Sequence, residues 1–299
     1  MPSEHKNIKV LILGATGMLG HKLVQCLSEH FEVFSTIRGS FDQIERYRLF
    51  HREMIIEEVD ATDATLLEKV IADVTPDIVI NAIGVVKQVP SAKDVITTLE
   101  LNSILPQRLA ILSKKFGFRL IHFSTDCVFD GGRGMYNEQD TPNALDLYGK
   151  SKQLGEISQE NVLTIRSSII GRELHTSHSL IEWFLSNRGG RVFGYTTAIY
   201  SGFPTIVIAD IIKGLIVDHP SLCGVHHIAS EPINKYELLG LVDEFYDAAV
   251  EIEPSDQLVI DRSLDGSAFN SITGFQPEGW PAMIQKMAED KTPYDDFHR

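Results

Sequence analysis

The sequence predicts a doubly wound α/β fold: a parallel sheet covered by helices on both faces, with a smaller, discontinuous C-terminal lobe. Three observations predict it. Short, continuous apolar runs alternate with helix-period segments through the first half of the chain. A glycine-rich turn closes the first of these runs. Beyond Arg166 the alternation loosens, and Gly, Pro and short strand-like runs take over.

The elements follow in order. Lys9–Leu13 reads as a buried strand ending at Gly14, and Leu19, Leu23, Val24 and Leu27 give Met18 to His30 a helical period. Phe31–Ile37 and Met54–Val59 read as the second and third strands. Asp63 caps a helix carrying Leu66, Leu67, Val70 and Ile71, and Pro76-Asp77 breaks the chain before a fourth strand, Ile78–Asn81. A long helix, roughly Val95–Phe116, leads to a fifth strand, Phe118–Ser124. A helix starting near Tyr148 leads to a sixth, Val162–Arg166. Crossovers of this length fit right-handed βαβ units, in which ligands sit beyond the carboxyl ends of the strands. Thr205–Asp218 reads as one more helix packing on the sheet, Leu222–Ala229 as a strand, and Asn234–Ala249 and Pro281–Glu289 as helices. The first domain is then residues 1–166 plus about 205–219, and the substrate lobe about 167–204 and 220–299.

Composition excludes several classes of function. The chain has 299 residues, is 43% hydrophobic and carries a formal net charge of -14. That charge argues against a nucleic-acid partner, which needs concentrated Lys and Arg. No apolar stretch approaches the roughly 20 residues of a membrane helix, and Met1–Lys9 has no secretory apolar core. Cys26, Cys127 and Cys223 are widely spaced and form no CxxC pair, which fits a reducing cytoplasm. His226-His227 would point to opposite faces of a strand, so no metal site is expected.

Two motifs carry chemistry. The first strand runs into Gly14-Ala15-Thr16-Gly17-Met18-Leu19-Gly20. At a strand-to-helix turn, Gly14 permits the tight bend, Gly17 lets a pyrophosphate approach the backbone, and Gly20 lets helix and strand pack closely. The helix N-terminus adds N–H donors and partial positive charge. The second strand is followed by Arg38 and has no acid at its end, which favours NADP(H) over NAD because an arginine meets the 2′-phosphate. The fold is thus of Rossmann type.

Tyr148 and Lys152 stand one helical turn apart. Carbonyl reduction needs a proton donor at oxygen, and a free tyrosine, with a pKa of about 10, is poorly matched to neutral pH. A nearby ammonium stabilises the phenolate and lowers that pKa. At the end of the fifth strand, Thr125 is placed to hydrogen-bond a substrate carbonyl, with Asp126 beside it.

Together these residues resemble the extended short-chain dehydrogenase/reductase superfamily, whose members carry GxxGxxG, a Ser/Thr after the fifth strand and YxxxK. Within it, the chain resembles the dTDP-4-dehydrorhamnose reductase family. Ser124-Thr125-Asp126-Cys127-Val128-Phe129-Asp130-Gly131 is similar to that family's STDYVFDG segment, and Asn137-Glu138 to Pro142, Leu147–Lys152 and Gly155-Glu156 continue the match. The resemblance covers residues 8–172 well and the remainder loosely. It implies NADP(H) and a dTDP- or UDP-linked 4-keto-6-deoxy sugar, with Tyr148 as proton donor, Lys152 on the nicotinamide ribose and Thr125 on the keto group. It further implies that Asp60-Ala61 flank adenine, that Ala82, Ile83 and Gly84 line the cofactor, and that Asn102 supports the site. Thr16, Met18 and Leu19 would join the glycines around the phosphates. Val86, Lys87, Asp126 and Cys127 would contact substrate, and Arg262 would take its diphosphate. A role in making deoxysugars for surface polysaccharide, and a homodimer, are the further expectations.

Cys127 departs from the family, which has Tyr there, so the sugar-ring contacts differ. The related 4,6-dehydratases have an Asp-Glu pair after the threonine, and Cys127 cannot replace that Glu as a base. Two alternatives remain open. One is an epimerase of the same superfamily, with no net NADPH consumption. The other is a non-catalytic subunit resembling the regulatory subunit of methionine adenosyltransferase.

Overall fold

The computed structural model describes residues 6–86 and 94–298. The chain divides into two compact units. The first comprises Met1–Ser124, Asp146–Ile165 and Ala209–Val225; the second comprises Thr125–Leu145, Arg166–Ile208 and His226–Arg299.

A seven-stranded sheet organises the first unit. Its strands are β1 (Lys9–Leu13), β2 (Glu32–Thr36), β3 (Ile55–Ile56), β4 (Ile78–Asn81), β5 (Arg119–Phe123) and β6 (Val162–Arg166), with Gly224–His227 beyond β6. The spatial order is β3-β2-β1-β4-β5-β6, and each of these pairings is parallel. All five residues of β5 and of β6 are buried, the polar Arg119, His122, Thr164 and Arg166 included, as expected of strands in a sheet covered on both faces. The strand order reverses between β1 and β4, which opens a crevice at their carboxyl ends.

The helices begin where the sequence supplies caps. Asp63 accepts from Thr65 N and Leu66 N at the start of α2 (Ala64–Val74). α1 (Met18–Ser28) is different: its first residue follows Gly17, and no side chain caps it. The predicted long helix is interrupted. α3 (Val95–Leu99) and α4 (Leu105–Phe116) are separated by a five-residue π-helical turn, Glu100–Ile104. Its Asn102 and Ser103 are buried polar residues. α4 buries Leu105, Leu109 and Leu112 in a core shared with β1, β4, β5 and α2.

In the second unit, strand Ala198–Tyr200 lies between Ile233–Asn234 and Ile260–Asp261. A separate pair joins Arg191–Tyr195 to Glu251–Ser255 in parallel. Thr125–Leu145, which the sequence places with the first lobe, packs with the second unit. The contacts explain why. Phe129 stacks on Tyr136 with centroids 4.2 Å apart, under the Arg166 guanidinium. Bridges join Gly132 to Asp261 and Tyr136 to Leu264. The buried His227 holds Tyr136 O and Arg166 from its two ring nitrogens, and its backbone N–H donates to Glu138 Oε1 at 2.9 Å. No helix among the described residues is long and apolar enough to cross a membrane.

Candidate active site

The glycine turn sits at the point where the strand order reverses. Gly14 has φ +89°, and a Cβ there would lie 2.8 Å from Ile83 Cγ1. Gly14 N and Ala15 N both donate to Thr36, at the end of β2. A Cβ on Gly20 would lie 2.0 Å from Gly14 O, so helix and turn touch through backbone alone. Gly17 differs: its nearest neighbour is Gly14 O at 3.5 Å, and it is exposed. Bare backbone at an uncapped helix N-terminus suits an anion. Thr16 and Met18 are half-buried beside it, and Leu19 is buried. A dinucleotide's pyrophosphate fits these residues.

Arg38 is exposed two residues after the end of β2. Hydrogen bonds from Thr62 hold Asp60 below the ordinary carboxylate range, with a smaller contribution from the Arg38 charge. Ala61, next in the chain, is buried.

The segment after β4 is built from one side chain. Asn102 Oδ1 accepts from Val85 N at 2.9 Å, while Nδ2 donates to Val85 O at 3.0 Å and to Ser151 Oγ at 3.1 Å. Ser103 Oγ donates to Ser151 O at 2.7 Å. The wide turn thereby aims two adjacent polar side chains at α5 (Leu147–Leu154), and Gly155 packs directly on Asn102 O. Ala82 and Ile83 are half-buried, and Gly84 is exposed between Asn102 Oδ1 and Lys152 Nζ. Val86 is 44% exposed. Lys87 lies outside the described residues.

α5 starts at Asp146, which accepts from Gly149 N. Tyr148 is half-buried one turn before Lys152, which is buried. Lys152 Nζ donates to Phe123 O at 2.6 Å. Burial pushes its pKa down to about 8, against an opposing effect of Glu156. His122, fully buried on β5, lies near Asn81 Nδ2 at 3.2 Å. Burial, and then the Lys152 charge, keep it neutral far below the usual histidine range. Ser124 Oγ donates to Glu156 Oε1 at 2.7 Å, tying the end of β5 to the second residue beyond α5.

Thr125 begins the second unit. Its hydroxyl accepts from Cys127 N at 3.1 Å and donates to Asp126 Oδ1 at 2.9 Å. Asp126 is buried, and burial raises its pKa against the pull of the Thr125 hydrogen bond and the Arg262 charge. Burial also pushes the Cys127 thiol up to about 12, so it stays protonated. Arg262 Nε donates to Phe129 O at 2.9 Å. The sequence alone does not single out Ser103, His122 or Ser151. Their one local signal is that of polar residues inside otherwise apolar elements. Among the described residues, no group of three or more His, Cys, Asp or Glu side chains could hold a metal ion.

Comparison with known proteins adds a lineage to this geometry. A family model described as the RmlD substrate binding domain matches residues 8–291. The chain is 26% identical over 236 residues to the dTDP-4-dehydrorhamnose reductase of Aggregatibacter actinomycetemcomitans, covering 75% of this chain and 74% of that protein. It is 30% identical over 318 residues to Methionine adenosyltransferase 2 subunit beta of Bos taurus, covering 94% and 90%. The solved dTDP-4-dehydrorhamnose reductase of Bacillus anthracis in complex with NADP matches with a TM-score of 0.75 at 20% identity, covering 94% of this chain and 98% of that one. At that identity the match shows the fold.

Proposed function

The chain belongs to the RmlD substrate binding domain family, and from that premise we propose that it is an NADPH-dependent reductase of the keto group of a dTDP- or UDP-linked 4-keto-6-deoxy sugar. The observation that carries this reading is the buried Lys152 ammonium, one helical turn from Tyr148 and fixed by Phe123 O. The reductase relative and the NADP-bound neighbour support it.

Gly14, Gly17 and Gly20 would hold the cofactor's pyrophosphate, Arg38 its 2′-phosphate, and Gly84 and Lys152 its nicotinamide end. When bound, NADPH supplies the hydride. Tyr148 gives its phenolic proton to the developing alkoxide, and the Lys152 charge stabilises the phenolate that remains. Lys152 has a pKa of about 8, so it is still largely cationic at neutral pH.

Thr125 hydrogen-bonds the keto oxygen. A hydroxyl has one proton to give, and that of Thr125 goes to Asp126. Burial favours the neutral Asp126 acid, which can instead donate to Thr125 and release the threonine proton for the substrate. In that arrangement Asp126 carries the proton and the Thr125 hydroxyl donates to the keto oxygen.

The test is NADPH oxidation, followed by absorbance, with freshly generated dTDP- and UDP-4-keto-6-deoxyhexoses. Consumption by the native protein and none by Tyr148→Phe is expected. The similarity to the methionine adenosyltransferase subunit favours a second reading, a cofactor-binding regulatory subunit. NADPH binding with no turnover on any such sugar, together with co-purification of a partner enzyme, would establish that reading instead.

A further inference from the structure

Lys235 has no part in the reading above. It opens the helix Lys235–Tyr246, directly after the capping residue Asn234. The partial positive charge of a helix N-terminus disfavours an ammonium there, and no described carboxylate forms an ion pair with it. The charged and titratable groups that act on it are Asp126, Cys127 and Arg262. Asp126 is the one acid among them, and it already accepts the Thr125 hydroxyl. Arg262 spends Nε on Phe129 O, and its two Nη groups donate to no described residue. A third polar group joins these cations. Tyr200 is 7% exposed, and its hydroxyl has no hydrogen-bond partner among the described residues. It lies close enough to Asp126 to feel that charge.

One small sheet sets all three. Tyr200 ends the central strand and pairs with Ile233, two residues before Lys235. On the other edge Asp261 pairs with Ile199, and Arg262 N donates to Ile199 O at 3.2 Å. An orphaned buried hydroxyl and two cations facing one acid leave unspent hydrogen-bond donors and positive charge.

We propose that Lys235, Arg262 and the Tyr200 hydroxyl form a binding site for an anionic group of the substrate, through phosphate or carboxylate oxygens, beside Asp126 and Cys127. The inference rests on the nucleotide-sugar reading and adds Lys235 and Tyr200 to it. The anion has two possible sources: the diphosphate between nucleoside and sugar, or a carboxylate on the hexose itself.

Calorimetric titration of the full-length protein with UDP, dTDP and UDP-glucuronate, for the native protein, Lys235→Met, Lys235→Arg and Tyr200→Phe, tests this. If the diphosphate is the anion, Lys235→Met raises the Kd for UDP or dTDP by about tenfold or more. Lys235→Arg keeps most of the affinity, and Tyr200→Phe costs a few-fold. If the carboxylate is the anion, Lys235→Met leaves UDP and dTDP unchanged and removes the advantage of UDP-glucuronate over UDP. Unchanged affinities in Lys235→Met, or a native protein that binds none of the three, overturn the proposal. Should Lys235→Met fail to fold, the native protein's own pH profile decides. Burial lowers the Lys235 pKa, so affinity falls as pH rises through a value below the ordinary lysine range, and Lys235→Arg abolishes that fall. A profile that Lys235→Arg leaves unaltered overturns the proposal. Binding is read without NADPH or turnover, so its failure is separate from failure of the reductase assay.

Discussion

The two units build their shares of the candidate chemistry in opposite ways. In the first, the working residues sit in short contiguous stretches at strand ends: Gly14–Gly20 after β1, Ala82–Gly84 after β4, Tyr148–Lys152 on one helix face. In the second, Tyr200, Lys235 and Arg262 come from three segments far apart in the chain, gathered by a three-stranded sheet and one helix N-terminus, with Asp126 on a short turn of its own. A function carried by local spacing is written where it can be read. A function assembled by tertiary pairing leaves only scattered polar residues in the sequence.

The largest effect expected from breaking the first arrangement is on proton transfer. Tyr148→Phe should lower kcat by about a thousandfold while NADPH affinity, measured by fluorescence titration, stays within about a factor of two. A large loss of NADPH affinity would show that Tyr148 holds cofactor instead. Next in size is Gly20→Ala, whose Cβ meets Gly14 O at 2.0 Å, a backbone atom that cannot swing aside. It should cost about 3 kcal/mol in denaturant unfolding and weaken NADPH binding. The second unit's anion affinities should be untouched if its site is independent.

Legibility differed between the units in the same sense. Five of the six sheet strands follow closely from apolar runs and turn residues, whereas the third, read as Met54–Val59, is only the half-buried pair Ile55–Ile56. The π turn at Glu100–Ile104 left no trace in a pattern that reads as one helix. The placement of Thr125–Leu145 was equally hidden. It depends on Phe129, Tyr136 and His227 meeting, and these are apart in sequence. The family resemblance points to Arg262, whereas Lys235 carries no local signal in the sequence.

Two smaller effects sharpen the comparison through pH. Burial holds the folded pKa of Lys152 at about 8, against an ordinary lysine value of 10.5. The unfolded chain therefore binds more protons between those values, and stability rises with pH across that window. Lys152→Met should abolish turnover, hold or raise the melting temperature at neutral pH, and flatten the rise. A melting temperature several degrees lower would make Lys152 a structural cation. In the second unit, Asp126 has a raised pKa, so the neutral acid prevails below it. Native kcat/KM should fall a few-fold as pH rises through that value. Asp126→Asn, whose amide can also donate to Thr125, should keep activity and lose the fall. An Asn variant with the native profile would refute the hydroxyl account.

The π turn between α3 and α4 has a mechanical consequence. Each helical residue advances the next side chain by about 100°, so one extra residue in a turn rotates everything after it by that angle. Val95–Leu99 and Leu105–Phe116 therefore behave as two shafts joined by a keyed coupling. Leu105, Leu109 and Leu112 can keep their phase against the core while Asn102, at the key, stays aimed at Ser151 and the loop after β4. Deleting a single residue anywhere in the coupling would put the shafts back in one phase, and core and Asn102 could no longer both be served.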